Sequence, residues 1–441
     1  MQLSNTNSQL TNIAFWGIIC RVTGLAIGLA TSIILARTLG PELFGQYAFL
    51  LTAAELLTIL VLFGTPALIL REVATGTSTG SFGKVRGLLS WTCKSTCLLS
   101  IPVLIGAMVL LFFWQKGQTP SVAFSVLFVS VSFILIDARI RQGVNVIQGL
   151  NKVLASQVLS ILTSPPFFLA VLVGLYFFSP GSISLLLILS LLLFSRIFAL
   201  LIIERKKKQY LPWEVLLSKP EYHTSQWLHS ALPLLLVGSL LIINTRIDII
   251  MLGYLREAGD VGLYRVAQRG GQYMLFGIMS IDSIINPLAA RAMALNQKEH
   301  LQKVVSKSIW LALIFTLPLL GVYIFFGQDL INFVYGQDFN ASWQPLIILS
   351  CGYLSLIILG RGGVILTMSH FERDTAKAIG IGAGANIILN LLLIPHFGIN
   401  GAAMGTALAV TIRMVMEALF AYQKTGINTT ILPLIFNRKK T

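Results

Sequence analysis

Apolar runs of about 20 residues recur along the whole chain, and they constrain its fold more than any other feature. Each run is long enough to cross the ~30 Å hydrocarbon core of a bilayer as a helix. Helices are expected because an open sheet in lipid would leave backbone groups unpaired. Of the 441 residues, 55% are hydrophobic and only 11% are charged, against about 25% charged in soluble domains. The sequence therefore predicts an all-α integral membrane protein.

Twelve membrane-spanning helices are predicted, and they divide into six and six at the longest loop. The predicted spans are 13–36, 45–70, 87–113, 121–148, 153–178, 182–204, 230–253, 261–287, 308–327, 344–368, 375–395 and 401–423. The predicted domains are an N-terminal six-helix lobe (1–204), a basic and amphipathic cytoplasmic linker (205–229), a C-terminal six-helix lobe (230–425) and a basic cytoplasmic tail (426–441). No basic n-region precedes the first run, so we predict a permanent span rather than a cleaved signal peptide.

The distribution of Lys and Arg gives the orientation. With the N terminus inside, the cytoplasmic loops and the tail hold 21 Lys and Arg residues, and the outer loops hold 3. This asymmetry follows the positive-inside rule, and one missed span would spoil it from that point on. Both termini are therefore predicted to be cytoplasmic. The net charge of +15 is attributed to topology, and no nucleic-acid partner is predicted.

Two short motifs indicate that the halves are related. The turn after the first span reads ARTLGPELFGQYAF, and the turn after the seventh reads LREAGDVGLYRVA. Both contain G-x-Y, at Gly45/Tyr47 and at Gly262/Tyr264. Because each half has an even number of spans, the repeat would be parallel, with its axis along the membrane normal. A binding site is then expected in a cleft between the halves, near mid-membrane.

Ionisable residues within the predicted spans are the candidate functional residues. An Arg or Lys at a helix centre costs ~2.5–3.5 kcal/mol on insertion, so such residues usually face a bundle interior or a wet cavity. The predicted substrate-binding cations are Arg21, Arg246, Arg269, Arg361 and Arg413. The predicted coupling or orienting acids, which could bind H⁺ or Na⁺, are Glu55, Asp248 and Asp282. The excess of cations favours an anionic cargo, since Arg binds phosphate oxygens in a bidentate manner.

Purely structural interpretations stay open for some of these residues. Arg413 and Glu417 are spaced i, i+4 and could form only an ion pair. Helix packing alone would also explain the stripe on the first span, which runs Gly17, Arg21, Gly24, Gly28 and Ser32. The four cysteines are interpreted as small core residues. No cofactor and no metal site are predicted.

Three segments resemble Wzx-type lipid-linked oligosaccharide flippases in the right order along the chain: ARTLGPELFGQYAF, NTRIDIIMLGYLREAGDVGLYRVAQR and PHFGINGAAMGTALA. The resemblance implies the MATE-like fold of the multidrug/oligosaccharidyl-lipid/polysaccharide (MOP) exporter superfamily. It also implies alternating access between two six-helix lobes around a cationic central cavity. Twelve spans favour the O-antigen or exopolysaccharide type over lipid II flippases, which usually carry two further helices.

The cargo and location follow from the same resemblance. It implies flipping of polyprenyl-diphosphate-linked glycans from the cytoplasmic to the periplasmic face of the bacterial inner membrane. It further implies contact with membrane lipid, and a polysaccharide polymerase and chain-length proteins as possible partners.

Two rival classes of protein are considered. A MATE-type drug or organic-cation antiporter would need acids exposed in its cavity, and the excess of Arg counts against it. A membrane polysaccharide polymerase or ligase would need a large outer loop that carries the chemistry. The longest predicted outer loop, FGQDLINFVYGQDFNASW, lacks Arg and His. The sequence shows no catalytic triad or metal-ligand spacing, so we predict that the chain is not an enzyme.

Overall fold

The computed structural model describes residues 2–114, 120–178, 183–275, 295, 297–360 and 362–431, with side chains described outside 2–15, 18, 110–114, 120–127 and 298. These residues form α-helices and one 3₁₀ helix, Gln337–Ser342. The α-helices are α1 (Gln2–Leu62), α2 (Thr65–Ser78), α3 (Phe82–Trp114), α4 (Pro120–Gly149), α5 (Val153–Leu162), α6 (Ser164–Phe178), α7 (Leu185–Tyr210), α8 (Trp213–Leu217), α9 (Thr224–Leu255), α10 (258–275), α11 (Lys298–Tyr335), α12 (Trp343–Ile358), α13 (Gly362–Met368) and α14 (Glu372–Thr425).

Eight helical stretches of the described residues have the length and apolar composition needed to cross a membrane. The predicted all-α membrane protein is confirmed in this respect. Two predicted spans are not among the eight. The predicted span 121–148 forms the helix α4. The predicted span 261–287 is described only as far as residue 275. The cytoplasmic placement of both termini stays a prediction.

Two of the long helices are pairs of predicted spans joined at a glycine kink. In α1 the kink lies at Gly40 (φ 68°, ψ 175°), next to Pro41. In α14 it lies at Gly398 (φ 55°, ψ −130°), three residues after Pro395. Positive φ angles favour glycine, and proline removes a helical hydrogen bond, so each kink has a local cause.

Two predicted spans are broken into two helices each. The predicted span 153–178 forms α5 and α6, which part at Thr163. Two prolines at the start of α6 explain this break, because proline fits only the first turn of a helix. The predicted span 344–368 forms α12 and α13, and α12 ends just before Gly360, whose φ is 80°.

One segment predicted as a loop is largely helical. Helix α11 continues to Tyr335, so the predicted outer loop of residues 326–343 is largely α11 and the 3₁₀ helix. Helix α4 agrees with the predicted span 121–148, so Arg139 and Arg141, which were counted among the cytoplasmic cations, lie within a helix. Polar residues need not end a helix, because the backbone hydrogen bonds are made within the helix itself.

The chain forms two compact units. The N-unit comprises Met1–Leu39 and Leu50–Ser239, and the C-unit comprises Gly40–Phe49 and Leu240–Thr441. Ten residues around the kink of α1 therefore belong to the C-unit although their neighbours on both sides belong to the N-unit. The domain boundaries predicted at 205–229 and 426 stay predictions.

The linker after α7 is held on the surface of the N-unit by α3. The Arg86 guanidinium donates to the Ser218 carbonyl at 2.6 Å, and the Glu221 amide donates to the Gly83 carbonyl at 3.0 Å. Within the short α8, Val215 is buried whereas Trp213 and Leu217 are exposed. This distribution is that of an amphipathic segment, whose apolar side chains suit the headgroup region of a bilayer.

The chain after α14 packs against the C-unit. Gln302 of α11 exchanges two hydrogen bonds with the Asn428 backbone, at 2.7 and 3.1 Å. The Ile431 amide donates to the Ile358 carbonyl at 2.9 Å, and the Thr429 hydroxyl donates to the Leu359 carbonyl at 3.2 Å. The first residues of the predicted basic tail are therefore part of the packed C-unit, across the end of α12.

Candidate functional site

Asp248 is the centre of a buried polar network in the C-unit, and its side chain is fully buried. The Tyr264 hydroxyl donates to Asp248 Oδ2 at 2.6 Å, and the Thr406 hydroxyl donates to the same oxygen at 3.2 Å. The Gln268 amide also donates to it, at 3.3 Å, while the Ile249 N–H donates to Oδ1 at 2.8 Å. Buried carboxylates need such donors to offset lost hydration. Asp248 therefore joins α9, α10 and α14.

Asparagines extend the polar contacts between α9 and α14. The Asn244 amide donates to the Ile379 carbonyl at 3.0 Å, and the Asn386 amide donates to the Asn244 carbonyl at 3.1 Å. The Asn390 amide donates to the Asn386 side chain. Gly382, Asn386 and Asn390 are spaced four residues apart, so they share one face of α14. This face lies in the interior of the C-unit, where both asparagines are fully buried.

The predicted cations of α9 and α10 lie beside this network. Arg246 interacts electrostatically with Asp248. Arg265 donates to the Gln268 side chain at 2.9 Å, so it is linked to Asp248 through one residue. Arg269 is half-buried, and its buried Nε has no hydrogen-bond acceptor among the described residues. The structure thus brings Arg246 and Asp248 together, whereas Arg269, on the same helix as Gln268, interacts with Tyr273.

The two G-x-Y motifs meet within the C-unit. A β-carbon placed on Gly45 would lie 2.8 Å from the Gly262 nitrogen and closer still to the Ala258 carbonyl oxygen. A β-carbon on Gly262 would lie 3.1 Å from the Gly45 nitrogen and closer to the Pro41 carbonyl oxygen. The repeated glycines therefore let two backbones approach each other more closely than any side chain would allow.

Arg413 lies on the second limb of α14, against the first limb. Its side-chain carbons pack on Gly382, where a β-carbon would lie 2.9 Å from Arg413 Cβ. Its Nε is 3.8 Å from Glu417 Oε1, a loose ion pair, and Nε is buried without a hydrogen-bond acceptor among the described residues. Glu417 Oε2 accepts the Gly363 N–H at 3.1 Å. A cavity of about 380 Å³ adjoins Arg413, Glu417 and Thr375.

The remaining predicted site residues are distributed differently. Arg21 is exposed on α1, and the glycines of its stripe serve helix packing: added β-carbons on Gly17 and Gly24 would meet Gln157 and Ile161 of α5. Glu55 lines a cavity inside the N-unit. Arg361 and Asp282 lie outside the described residues. The binding and coupling roles of all these residues stay predictions.

Sequence reasoning missed a charged cluster in the N-unit. Asp137 of α4 accepts hydrogen bonds from Arg141 Nε at 2.7 Å and from an Arg196 terminal nitrogen at 3.1 Å. These residues and Glu55 line a cavity of about 240 Å³ between α1, α4, α5 and α7. The i, i+4 spacing of Asp137 and Arg141 was a usable signal. It was overlooked because Arg141 was counted among the 21 cytoplasmic cations.

Long apolar helices in two units define a multi-pass membrane protein, and each unit holds a cluster of charged and polar side chains. A family model described as "Polysaccharide biosynthesis protein" matches residues 11–285, and a second model, "MatE", matches residues 233–392. Because the first model covers more than half of the chain, the chain belongs to the polysaccharide biosynthesis protein family.

Curated relatives are matched over part of their length. A probable low-salt glycan biosynthesis flippase of Haloferax volcanii, Agl15, is 28% identical over 174 residues, or 39% of this chain and 36% of the relative. A probable flippase of the same organism, AglR, is 24% identical over 38% of this chain and 36% of its own length. The chain thus matches about a third of the length of these relatives.

Solved structures share the fold at low sequence identity. A multidrug resistance MATE family transporter of the MOP superfamily, in its inward-facing conformation, gives a TM-score of 0.69 at 12% identity, over 92% of this chain and 98% of that chain. The lipid II flippase MurJ gives 0.68 at 14% identity, over 96% and 92%. A MOP superfamily transporter from Pyrococcus furiosus gives 0.68 at 13%, over 98% and 96%. The predicted MATE-like fold is therefore confirmed.

Proposed function

We propose that this protein flips polyprenyl-diphosphate-linked glycans from the cytoplasmic to the outer face of the cell membrane for surface polysaccharide biosynthesis. Alternating access around a cationic cavity is the proposed mechanism, and the protein acts as a transporter rather than an enzyme. Family membership supports polysaccharide biosynthesis as the context. Relatives named as probable flippases support the transport step.

One observation supports the proposal that the transported molecule is anionic. Arg269 and Arg413 are half-buried in the C-unit, and each keeps a buried Nε–H without an acceptor among the described residues. A buried N–H with no protein acceptor is a donor that a bound group is able to use. A guanidinium in that state favours an anionic group, and phosphate oxygens match its planar donor fork.

The membrane potential supports the direction of transport. A diphosphate headgroup carries about two negative charges, and a cell interior at about −100 mV drives each of them outward by ~2.3 kcal/mol. This gives roughly 4–5 kcal/mol for export if bare charge crosses. Coupling to H⁺ or Na⁺ is then dispensable, and the coupling role predicted for Glu55, Asp248 and Asp282 stays a prediction.

Replacing Arg269 by alanine, or Arg246 by alanine, is expected to abolish flipping while the protein still inserts into the membrane. Each change removes a cation that would contact the diphosphate, and charge-assisted hydrogen bonds are the strong ones. The measurement is the appearance of a fluorescent polyprenyl-diphosphate-linked oligosaccharide on the far face of proteoliposomes. Arg→Lys variants should keep activity only where bidentate geometry is unimportant.

Lys377→Ala is the matched control for these arginine variants. Lys377 is also a C-unit cation, but it is exposed and pairs with Asp374 at the surface. Its variant should flip at the wild-type rate. Wild-type flipping by both Arg246→Ala and Arg269→Ala would refute the proposed role of these arginines.

A drug or organic-cation antiporter is the second candidate, favoured by the MatE match over residues 233–392. It requires an acid that a cation can reach, whereas Asp248 is fully buried and accepts four hydrogen bonds. Vesicles that contain the protein are therefore expected to take up a fluorescent organic cation no faster than protein-free vesicles. Rapid uptake driven by a proton or sodium gradient would favour the antiporter instead.

The bacterial inner membrane is the location that the sequence predicts, and the curated relatives named above are archaeal. We keep the bacterial placement as part of the proposal, together with contact to a polysaccharide polymerase and chain-length proteins. Lipid analysis of a deletion strain tests it. Accumulation of an unflipped lipid-linked glycan in the cytoplasmic leaflet is the expected result.

A further inference from the structure

The charged cluster of the N-unit borders a cavity, which an ion-pair network with a purely structural role does not need. Four charged side chains line it, those of Glu55, Asp137, Arg141 and Arg196. Its volume is about 240 Å³, which is enough room for water or a small polar ligand. The charged groups of the lining therefore have space in which to meet such a ligand.

One carboxylate holds two guanidinium groups in this cavity. Arg141 contacts Asp137 Oδ2, and Arg196 contacts Asp137 Oδ1. Asp137 neutralises one positive charge, so the three side chains together carry +1. Each guanidinium has five N–H donors, and the contacts above use one from each. The side chains of Arg141 and Arg196 are 38% and 33% exposed, so their other donors are accessible.

Glu55 supplies the second negative charge. It lines the same cavity from α1 and interacts electrostatically with Arg141. With Glu55 ionised the four side chains are neutral as a set. An entering anion would therefore compete with Glu55 for Arg141, whereas the two hydrogen bonds to Asp137 would keep both arginines in position.

The same geometry disfavours a cation as the occupant. Asp137 already accepts from two guanidinium groups, and a metal ion beside it would lie close to two positive charges. Both arginines contact the oxygens of a single carboxylate and line the same cavity, so a phosphate group in that cavity would have both guanidinium groups as neighbours. Contacts between one Arg and a phosphate are frequently bidentate, which adds geometric specificity.

We propose that the N-unit cavity binds a phosphate or diphosphate group between Arg141 and Arg196, with Glu55 as the counter-anion that the ligand displaces. The site would give the N-unit a headgroup subsite of its own, in addition to the arginines of the C-unit. The phosphate site itself is argued from the cavity alone. The identification of the phosphate as part of a lipid headgroup rests on the proposed function.

Binding to the purified full-length protein in detergent tests the site. The probes are inorganic pyrophosphate and farnesyl diphosphate, measured by titration calorimetry. Arg196→Gln is expected to weaken binding about tenfold or more, as one charge-assisted contact is lost. Glu55→Gln is expected to strengthen binding, because it removes the competing charge. That second variant keeps the test decisive if Arg196→Gln folds poorly.

Arg139→Gln is the matched control for Arg196→Gln. Arg139 lies on α4 two residues from Arg141 but pairs with Glu204 at 3.2 Å instead of lining the cavity. The Arg139→Gln variant should bind both probes as the wild type does. Weaker binding of both probes by Arg196→Gln supports a site for the phosphate group itself. Weaker binding of farnesyl diphosphate alone supports the site and assigns it to a lipid headgroup.

Two results would overturn the proposal. They are unchanged binding of both probes by Arg196→Gln, and weaker binding by Glu55→Gln. Neither result involves transport, so the failure of this site is distinguishable from the failure of the proposed function. If the wild-type protein bound pyrophosphate in this cavity but flipped no glycan lipid, the proposed site would be supported and the proposed function would be refuted.

Discussion

Gly262→Ala should lower the free energy of unfolding by about 3 kcal/mol, at the upper end of the cost of overpacking a well-packed interior. The added methyl group would meet backbone atoms of Pro41 and Gly45, and a backbone cannot rotate away as a side chain does. Gly45→Ala should have a similar effect, because the contact is mutual. The measurement is the thermal unfolding midpoint of the purified protein in detergent.

Gly321→Ala is the control for the glycine variants. Gly321 lies within α11 of the same unit, and a β-carbon there would meet nothing within 4 Å. Since alanine favours a helix over glycine by about 1 kcal/mol, this variant should unfold at the wild-type temperature or above it. If Gly262→Ala and Gly321→Ala had the same unfolding midpoint, the close contact between the two G-x-Y motifs would be refuted.

Asp248→Ala is the second change with a large expected effect. It leaves the buried hydroxyl of Tyr264, the amide of Gln268 and the hydroxyl of Thr406 without their shared acceptor. An unsatisfied buried polar group costs roughly 1–3 kcal/mol, so a total loss of about 3 kcal/mol or more is expected. Asp248→Asn should be milder, because it keeps the shape and one acceptor oxygen.

Asp329→Ala separates the effect of burial from that of removing any aspartate. Asp329 lies on α11 of the same unit and is exposed, so its removal should change the free energy of unfolding by no more than about 0.5 kcal/mol. Unfolding midpoints of the three aspartate variants, measured under one set of conditions, check the expected order. An Asp248→Ala protein as stable as Asp329→Ala would mean that the network around Asp248 does not stabilise the fold.

The architecture was largely predictable because bilayer thickness fixes the length of an apolar helix. Helix ends were less predictable. The predicted span 308–327 ended inside α11, which continues to Tyr335. Hydropathy marks the edge of the hydrocarbon layer, whereas a helix continues into the headgroup region as long as its backbone hydrogen bonds are satisfied.

The burial of some polar residues was predictable from the sequence, but their pairings were not. Helical periodicity placed Asn386 and Asn390 on one face, and both are buried in the network. It gave no indication that Asp248 would meet Thr406, which lies 158 residues further along the chain. Periodicity identifies a face of one helix, while the partner of that face depends on how separate helices pack.

The assignment of residues 40–49 to the C-unit has a consequence for biosynthesis. Gly45 leaves the ribosome roughly 200 residues before Gly262, which at about 5–20 residues per second is a delay of about 10–40 s. During this delay the kinked segment is inserted without its partner helix. Separately expressed halves of the polypeptide should therefore depend on each other for maturation, because the segment that completes the second half is translated with the first.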